Sequence, residues 1–406
     1  MLSLITPTHN PKHLRELWRS IQAQTYTGEY EWIVVPNHGG FVFHDLTLDP
    51  RVRIIQAPDE LEGVGALKRF AFEQAYGDIL VEVDHDDVLL PECLSEVSAA
   101  FEDSSVGFVY SDSANLGGER FSPDYGWEFH DDFEYNGKVV WSAKAFEPDA
   151  ASLSSVWYAP DHVRAWRAKD YQLIGGHCAD LKVCDDHELL IRTYLRSMMK
   201  HIPKPLYVYR VHQGNTYLRD NATIQSVTRQ LYGQYIVELA ERQAKLEGKK
   251  VRSLREIHEE NGLSCWGVEL SGVNSVGVLH ANDYLHSLTQ PDWIMRCIWD
   301  YLSDGGWMFV TVPSTDGRGA FQDPSNTRSY WNENKFWYWT EPEIAKYIGN
   351  TECRFQSFRL DTTFPTQWHH DHNIPYTTAH LRSIKSSARR PGVNPWRSIP
   401  LEKTTI

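Results

Sequence analysis

Apolar residues in the first 220 positions fall into two patterns that alternate: short unbroken runs, and runs spaced three and four apart. That is the signature of strands interleaved with amphipathic helices. A strand is predicted over 2–6, closed by Pro7, and a helix over 13–24, where Leu14, Leu17, Trp18 and Ile21 share one face. Strands follow at 30–35 and 52–56, the first ending in Pro36-Asn37-His38-Gly39-Gly40. Helices are predicted over 66–76, stopped by Gly77, and from Pro91 through Phe101. Between them a buried strand at 79–83 runs into Asp84-His85-Asp86-Asp87, and another strand follows at 106–110. Strands separated by helices of this length predict an α/β fold with a mostly parallel, Rossmann-like sheet and right-handed crossovers.

The pattern loosens over 121–156, where Tyr125, Trp127, Phe129, Phe133, Tyr135 and Trp141 accumulate. Irregular stretches of that length read as binding loops or lids, and the aromatics read as core packing or as faces for sugar rings. Helical spacing returns at 161–169 and 186–195, a strand at 206–211 and a long helix at 222–247. The charged stretch 247–260 reads as linker. Three parts are therefore expected: a first domain over 1–220, a helical linker over 221–262 and a smaller domain with its tail over 263–406.

Composition narrows the partners. The 406 residues are 41% hydrophobic and 23% charged, an ordinary globular balance, with net charge −14. That sign disfavours coating of nucleic acid or an anionic membrane. The high aromatic content of 13% favours flat ring ligands. Six cysteines without a Cys-x-x-Cys pair argue against a disulfide scaffold or structural zinc and for a reducing compartment. No apolar run approaches the roughly 20 residues of a membrane span. No signal-peptide pattern opens the chain. A soluble cytoplasmic protein is expected.

Asp84-His85-Asp86-Asp87 stands where a buried strand ends, the place where open parallel sheets bind ligands. Carboxylates two apart there can hold a divalent cation that grips phosphate oxygens; a solvated acidic turn is the plainer alternative. The surrounding residues carry a resemblance. Pro7-Thr8-His9-Asn10, Glu31 to Asn37, Gly65 to Asp78, Asp84-x-Asp86, Gly175-Gly176 with Asp185-Asp186-His187-Glu188-Leu189-Leu190-Ile191-Arg192, and Tyr209-Arg210-Val211-His212 with Asn215-Thr216 resemble, in order, the segments of family-2 glycosyltransferases of the GT-A fold.

The resemblance implies an inverting, metal-dependent transferase that moves a sugar from a nucleotide-sugar donor to an acceptor hydroxyl. It implies donor contacts by Pro7, Thr8, His9, Asn37, Lys68, Asp84 and His85, and Mn²⁺ or Mg²⁺ held by Asp84, Asp86 and His212. Asp186, with Asp185 beside it, takes the place of the general base; both could instead serve the start of a helix. His212 could equally be a structural histidine. Asn37 replaces the family's usual Asp, and Lys68 its Arg, which leaves the donor's base open. The acceptor is a glycan, a protein side chain or a modified nucleobase.

Farther on, residues 278–288 and Leu302-Ser303-Asp304-Gly305-Gly306 with the run after it resemble the later half of class I methyltransferases, to about Thr340. Only Gly262 to Gly272 could stand for the glycine-rich turn that binds S-adenosylmethionine, with Cys265-Trp266-Gly267-Val268-Glu269-Leu270 as its strand. The resemblance therefore implies a truncated, inactive methyltransferase-like domain that packs on the transferase, mediates homo-oligomerisation or holds the acceptor. His369-His370-Asp371-His372 reads as a surface tail or a metal site. Two other functions stay open: a non-catalytic nucleotide-sugar-binding module, and a bifunctional glycosyl- and methyltransferase.

Overall fold

A computed structural model describes residues 1–37, 43–261, 273–350 and 352–386. It falls into two units, one from Met1 to Ile236 and one beginning at Val237.

The first unit is built on a ten-stranded sheet. Its parallel part holds β1 (Leu2–Thr8), β2 (Tyr30–Pro36), β3 (Val52–Ile54) and β4 (Ile79–Glu82), in the order β3-β2-β1-β4. The remaining strands are β5 (Val88–Leu89), β6 (Val106–Leu116), β7 (Phe133–Tyr135), β8 (Lys138–Ala143), β9 (Arg164–Arg167) and β10 (Met198–Arg210). They continue the sheet as β4-β9-β6-β10-β5, with the β7/β8 hairpin on β6. β9 runs antiparallel to both β4 and β6, whereas β6 and β10 are parallel.

The helices follow from their spacing. α1 (Leu14–Gln22) buries Leu14, Leu17 and Ile21, and α2 (Val64–Glu73) buries Leu67, Ala71 and Phe72. α1 and α3 (Cys93–Ala100) cover a core of Leu4, Trp32, Val34, Val81 and Val97, whereas Phe72 of α2 packs on Trp166 and Tyr171. Each such side chain contributes about 1.5–3 kcal/mol on burial. α4 (Ala150–Ser155), α5 (Ala168–Leu173), α6 (Asp185–Arg196), α7 (Thr216–Arg219) and α8 (Asn221–Leu246) follow, and the division between units falls inside α8.

Three expectations change. The helix expected over 161–169 is the strand β9 followed by α5. β9 is central, so Arg164, Ala165 and Trp166 are all buried and no alternation marks the run as strand. β6 runs to Leu116 rather than 110, because its second half holds Ser111, Asp112, Ser113 and Asn115, which are polar yet buried. Residues 121–156 are a hairpin and a helix around a cluster of Trp127, Trp141 and Ala143, with Phe121, Phe129, Phe146 and Tyr158 packed on it. Most of the aromatics there pack against one another.

The second unit has five strands: β11 (Lys250–Ser253), β12 (Val276–Asn282), β13 (Leu302–Pro313), β14 (Arg354–Thr363) and β15 (Tyr376–Ile384), in the order β11-β12-β13-β15-β14. The first three are parallel, and β15 is antiparallel to β13 and β14. The helices are α9 (Leu254–Asn261), α10 (Pro291–Tyr301), α11 (Glu333–Thr340), α12 (Pro342–Ala345) and α13 (Gln367–Asp371). Of these, α9, α10 and α11 cover a core that includes Ile298, Met308, Trp331, Phe336, Trp339 and Leu381. The charged stretch expected as linker supplies β11 and α9. Gly262 to Gly272, with the Cys265 to Leu270 strand expected there, and the end of the tail beyond 386 lie outside the described residues. His369-His370-Asp371-His372 lies on and just after the short α13. Among the described residues no helix is long and apolar enough to cross a membrane.

Candidate active site

Parallel pairing brings the carboxyl ends of β1, β2 and β4 to one edge of the sheet. Pro7 pairs with Val35, and the Asn37 N–H donates to the Thr8 carbonyl at 3.0 Å. His9, after β1, and His85, after β4, meet edge to face with ring centroids 4.9 Å apart. The Thr8 hydroxyl donates to the Asn10 carbonyl at 3.2 Å. The Asn37 side-chain oxygen is buried and has no partner among the described residues. An unpaired buried acceptor is costly, and a ligand N–H would satisfy it.

The acidic turn after β4 is tied to β10. The Tyr207 hydroxyl accepts from the Asp84 N–H at 2.9 Å and donates to the Asp87 carboxylate at 2.9 Å. Asp87 also accepts from the Arg210 N–H at 2.7 Å, while Arg210 Nε reaches the Asp86 carbonyl at 2.9 Å. Burial, together with Asp86 and Asp84, pushes the Asp87 carboxyl well above its ordinary range. Past the end of β10, His212 Nε2 lies 2.8 Å from an Asp86 carboxylate oxygen. Burial opposes ionisation of Asp86, but His85 and His212 hold its pKa below the usual value, so Asp86 is a carboxylate. Asp84 lies 3.6 Å from His162 Nε2. Asp86 and His212 are thus brought together from 126 positions apart, and Asp84 faces His162.

A second charged cluster lies between β4, β9, α2 and α6. Glu82, buried at the end of β4, pairs with the Lys68 ammonium, which is 3.9 Å from Asp185. Arg164 Nη1 holds Asp186 at 2.8 Å and stands 4.0 Å from Glu82. Burial would lower Lys68, yet Glu82 and Asp185 hold it well above its ordinary value. Burial would raise Asp186, yet Arg164 and Lys68 hold it far below the carboxylate range. For Asp185 burial wins: aided by Asp186 and Glu82 it pushes the carboxyl up to about 7. Two cations and three carboxyls are balanced when Asp185 keeps its proton. Asp185 is buried, whereas the Asp186 side chain is 26% exposed, so Asp186 is the carboxylate open to a ligand. The N-cap of α6 is Cys184, which makes no side-chain bond, and Asp186 Oδ1 accepts from the first-turn His187 N–H at 2.8 Å, so Asp186 also serves the helix start. Lys68, expected as a donor contact, is buried, and its ammonium pairs with Glu82 inside the protein.

The Gly175-Gly176 turn locks α6 in place. Both glycines have positive φ, and a Cβ on Gly176 would lie 2.9 Å from the Tyr171 ring. The turn's Gly176 carbonyl accepts from Arg192 at 2.7 Å, and Arg192 also grips Glu188.

Residues 3–153 match the family described as Glycosyl transferase family 2. These residues are a glycosyltransferase family 2 domain. No curated protein matches the chain. Among solved structures, the chain is similar to S. aureus TarS at 18% identity and TM-score 0.42, covering 58% of this chain and 43% of that one. It thus spans less than half of that TarS chain. It is also similar to S. aureus TarS 1-349 in complex with UDP-GlcNAc (17% identity, TM-score 0.41, 74% and 80% covered). The mannosyltransferase PcManGT from Pyrobaculum calidifontis in complex with GDP-Man and Mn2+ follows at 15% identity and TM-score 0.36, with 61% and 76% covered.

Three residues around this glycosyltransferase domain's candidate site escaped the sequence reading, Glu82, His162 and Arg164, and so did the burial of a fourth, Asp87. His162 lies two residues before Arg164, the first residue of β9; one meets Asp84 and the other Asp186. Their signal was hidden by the helical reading of 161–169. Asp87 was visible as a third carboxylate in the acidic turn, but its burial was not.

Proposed function

We propose that the chain is a metal-dependent, inverting glycosyltransferase that moves a sugar from a nucleotide-sugar donor to an acceptor hydroxyl. The observation that carries this reading is the meeting of Asp86 and His212 at the rim of a glycosyltransferase family 2 domain. In this reading the donor's base lies against Pro7, Thr8, His9 and Asn37, with Asp84 and His85 toward the ribose and diphosphate.

Among the described residues no group of three ligating side chains is assembled. One carboxylate and one imidazole fit a cation that takes its other ligands from phosphate oxygens and water, as Mg²⁺ sites on phosphates commonly do. Asp86 and His212 would hold Mn²⁺ or Mg²⁺, with Asp84 nearby; when bound, such an ion offsets the charge developing on the departing diphosphate.

Asp186 is the acceptor's base. Arg164 keeps it ionised and orients it, so it takes the acceptor proton as the acceptor oxygen bonds to the anomeric carbon and the carbon–phosphate-oxygen bond breaks. Asp185 and Lys68 act through this cluster as positioning residues.

The second unit is read as a truncated methyltransferase-like domain. Its three parallel strands support that reading, and the stretch that would carry a cofactor turn lies outside the described residues.

The test is release of nucleoside diphosphate from a panel of nucleotide sugars with and without Mn²⁺. Metal-dependent release is expected, abolished by Asp86→Ala and lowered about 10²–10⁴-fold by Asp186→Asn. Tight nucleotide binding without turnover of any donor would favour a non-catalytic binding module.

A further inference from the structure

The second unit carries a groove that the transferase reading does not use. It has a volume of about 470 Å³ and is lined by Tyr330, Asn334, Lys335, Trp337, Tyr338 and Tyr347. That volume is within the ordinary range for small-ligand sites, about 300–1,000 Å³. Thr315, two residues past β13, also lines it, so the groove opens by the carboxyl end of a parallel strand, where open α/β sheets place ligands.

The lining follows from α11. Phe336, Trp339 and Thr340 turn into the core, which leaves Asn334 and Trp337, three apart, exposed on the other side, with Tyr338 half-buried at the core's edge. The turn after α12 then supplies Tyr347. Tyr330, Trp337 and Tyr347 are 56%, 39% and 74% exposed. Neither the Asn334 amide nor the Trp337 indole N–H has a hydrogen-bond partner among the described residues. Lys335 reaches Asp292 at 3.4 Å and lies 5.4 Å above the Tyr338 ring.

We infer that this groove binds a saccharide. Aromatic faces with unspent amide, indole and phenol groups at their edges suit a ring that presents C–H on its faces and hydroxyls on its rim. A purely apolar partner would leave those polar groups buried and unpaired. A polyanion is opposed by a chain of net charge −14. The inference goes beyond the transferase reading and does not rest on it.

The experiment is saturation-transfer NMR on the full chain with cellotriose, maltotriose, chitotriose and mannotriose as probes. It is run without nucleotide or metal, so that the donor site is not engaged, and the groove variants separate binding here from binding beside Asp186. At least one trisaccharide is expected to bind. Trp337→Ala and Tyr347→Ala, both at exposed positions, are each expected to weaken it roughly tenfold, and Trp337→Phe to retain it, with unchanged melting temperatures. Absence of binding by all four probes would overturn the inference, as would binding unaltered in both alanine variants. So would light scattering that shows the wild type to be a dimer and Trp337→Ala a monomer, because the groove would then be filled by a second copy.

Discussion

At the scale of single residues, the candidate site depends on how five ionisable groups share their protons. Lys68 and Arg164 face Glu82, Asp185 and Asp186, and the odd carboxyl is Asp185, with its pKa raised to about 7. An aspartate ordinarily titrates near 3.8. Between those values the folded chain holds a proton that the unfolded chain has released. Stability from this group therefore falls as pH rises through the window and is level above it. Asp185→Asn, which fixes the neutral form, is expected to flatten that part of the stability-versus-pH curve, read as urea midpoints from pH 4 to 8. An unchanged slope would mean that Asp185 is ionised in the native state. Asp84, Asp86, Asp186 and His212 stand out as candidates in the sequence by their type and order, and the fold brings Asp86 to His212. The state of Asp185 was not legible, since it is set by burial and by Lys68 and Glu82, both distant in sequence, as well as by its neighbour Asp186.

At the scale of elements, β9 joins the two halves of the site, and it is the element the sequence hid. A four-residue strand buried on both faces shows no alternation, and its neighbours Asp161 and Lys169 complete an accidental helical spacing. The same limit explains β6, whose polar half is buried. There Asp112 accepts from His130 and His201, each at 2.7 Å, and such partners cannot be read locally. β10 gains its length through bulges around Pro205, where the register shifts on both sides. The strands with plain apolar runs, β1, β2 and β4, were visible within two residues of their ends. Because Arg164 on β9 is the partner of two carboxylates, Arg164→Ala is expected to cost about 3–5 kcal/mol in denaturant unfolding. Arg164→Lys should recover part of it. A cost below about 0.5 kcal/mol would show that the cluster is satisfied by solvent.

At the scale of the whole molecule, a glycosyltransferase family 2 domain occupies 3–153, while the strands and helix that complete the candidate site, β9, α6 and β10, lie beyond that span. The first unit extends to Ile236 and so includes them. On the proposed reading, the first unit binds a divalent cation jointly with a nucleoside diphosphate, through Asp86 and His212. The direct measurement is Mn²⁺ binding by electron paramagnetic resonance, with the ion alone and with UDP or GDP added. The account predicts weak binding of the ion alone, marked tightening by one of the diphosphates, and loss of that tightening in both Asp86→Ala and His212→Ala. Mn²⁺ affinity indifferent to both diphosphates, or tightening that survives in both variants, would contradict it.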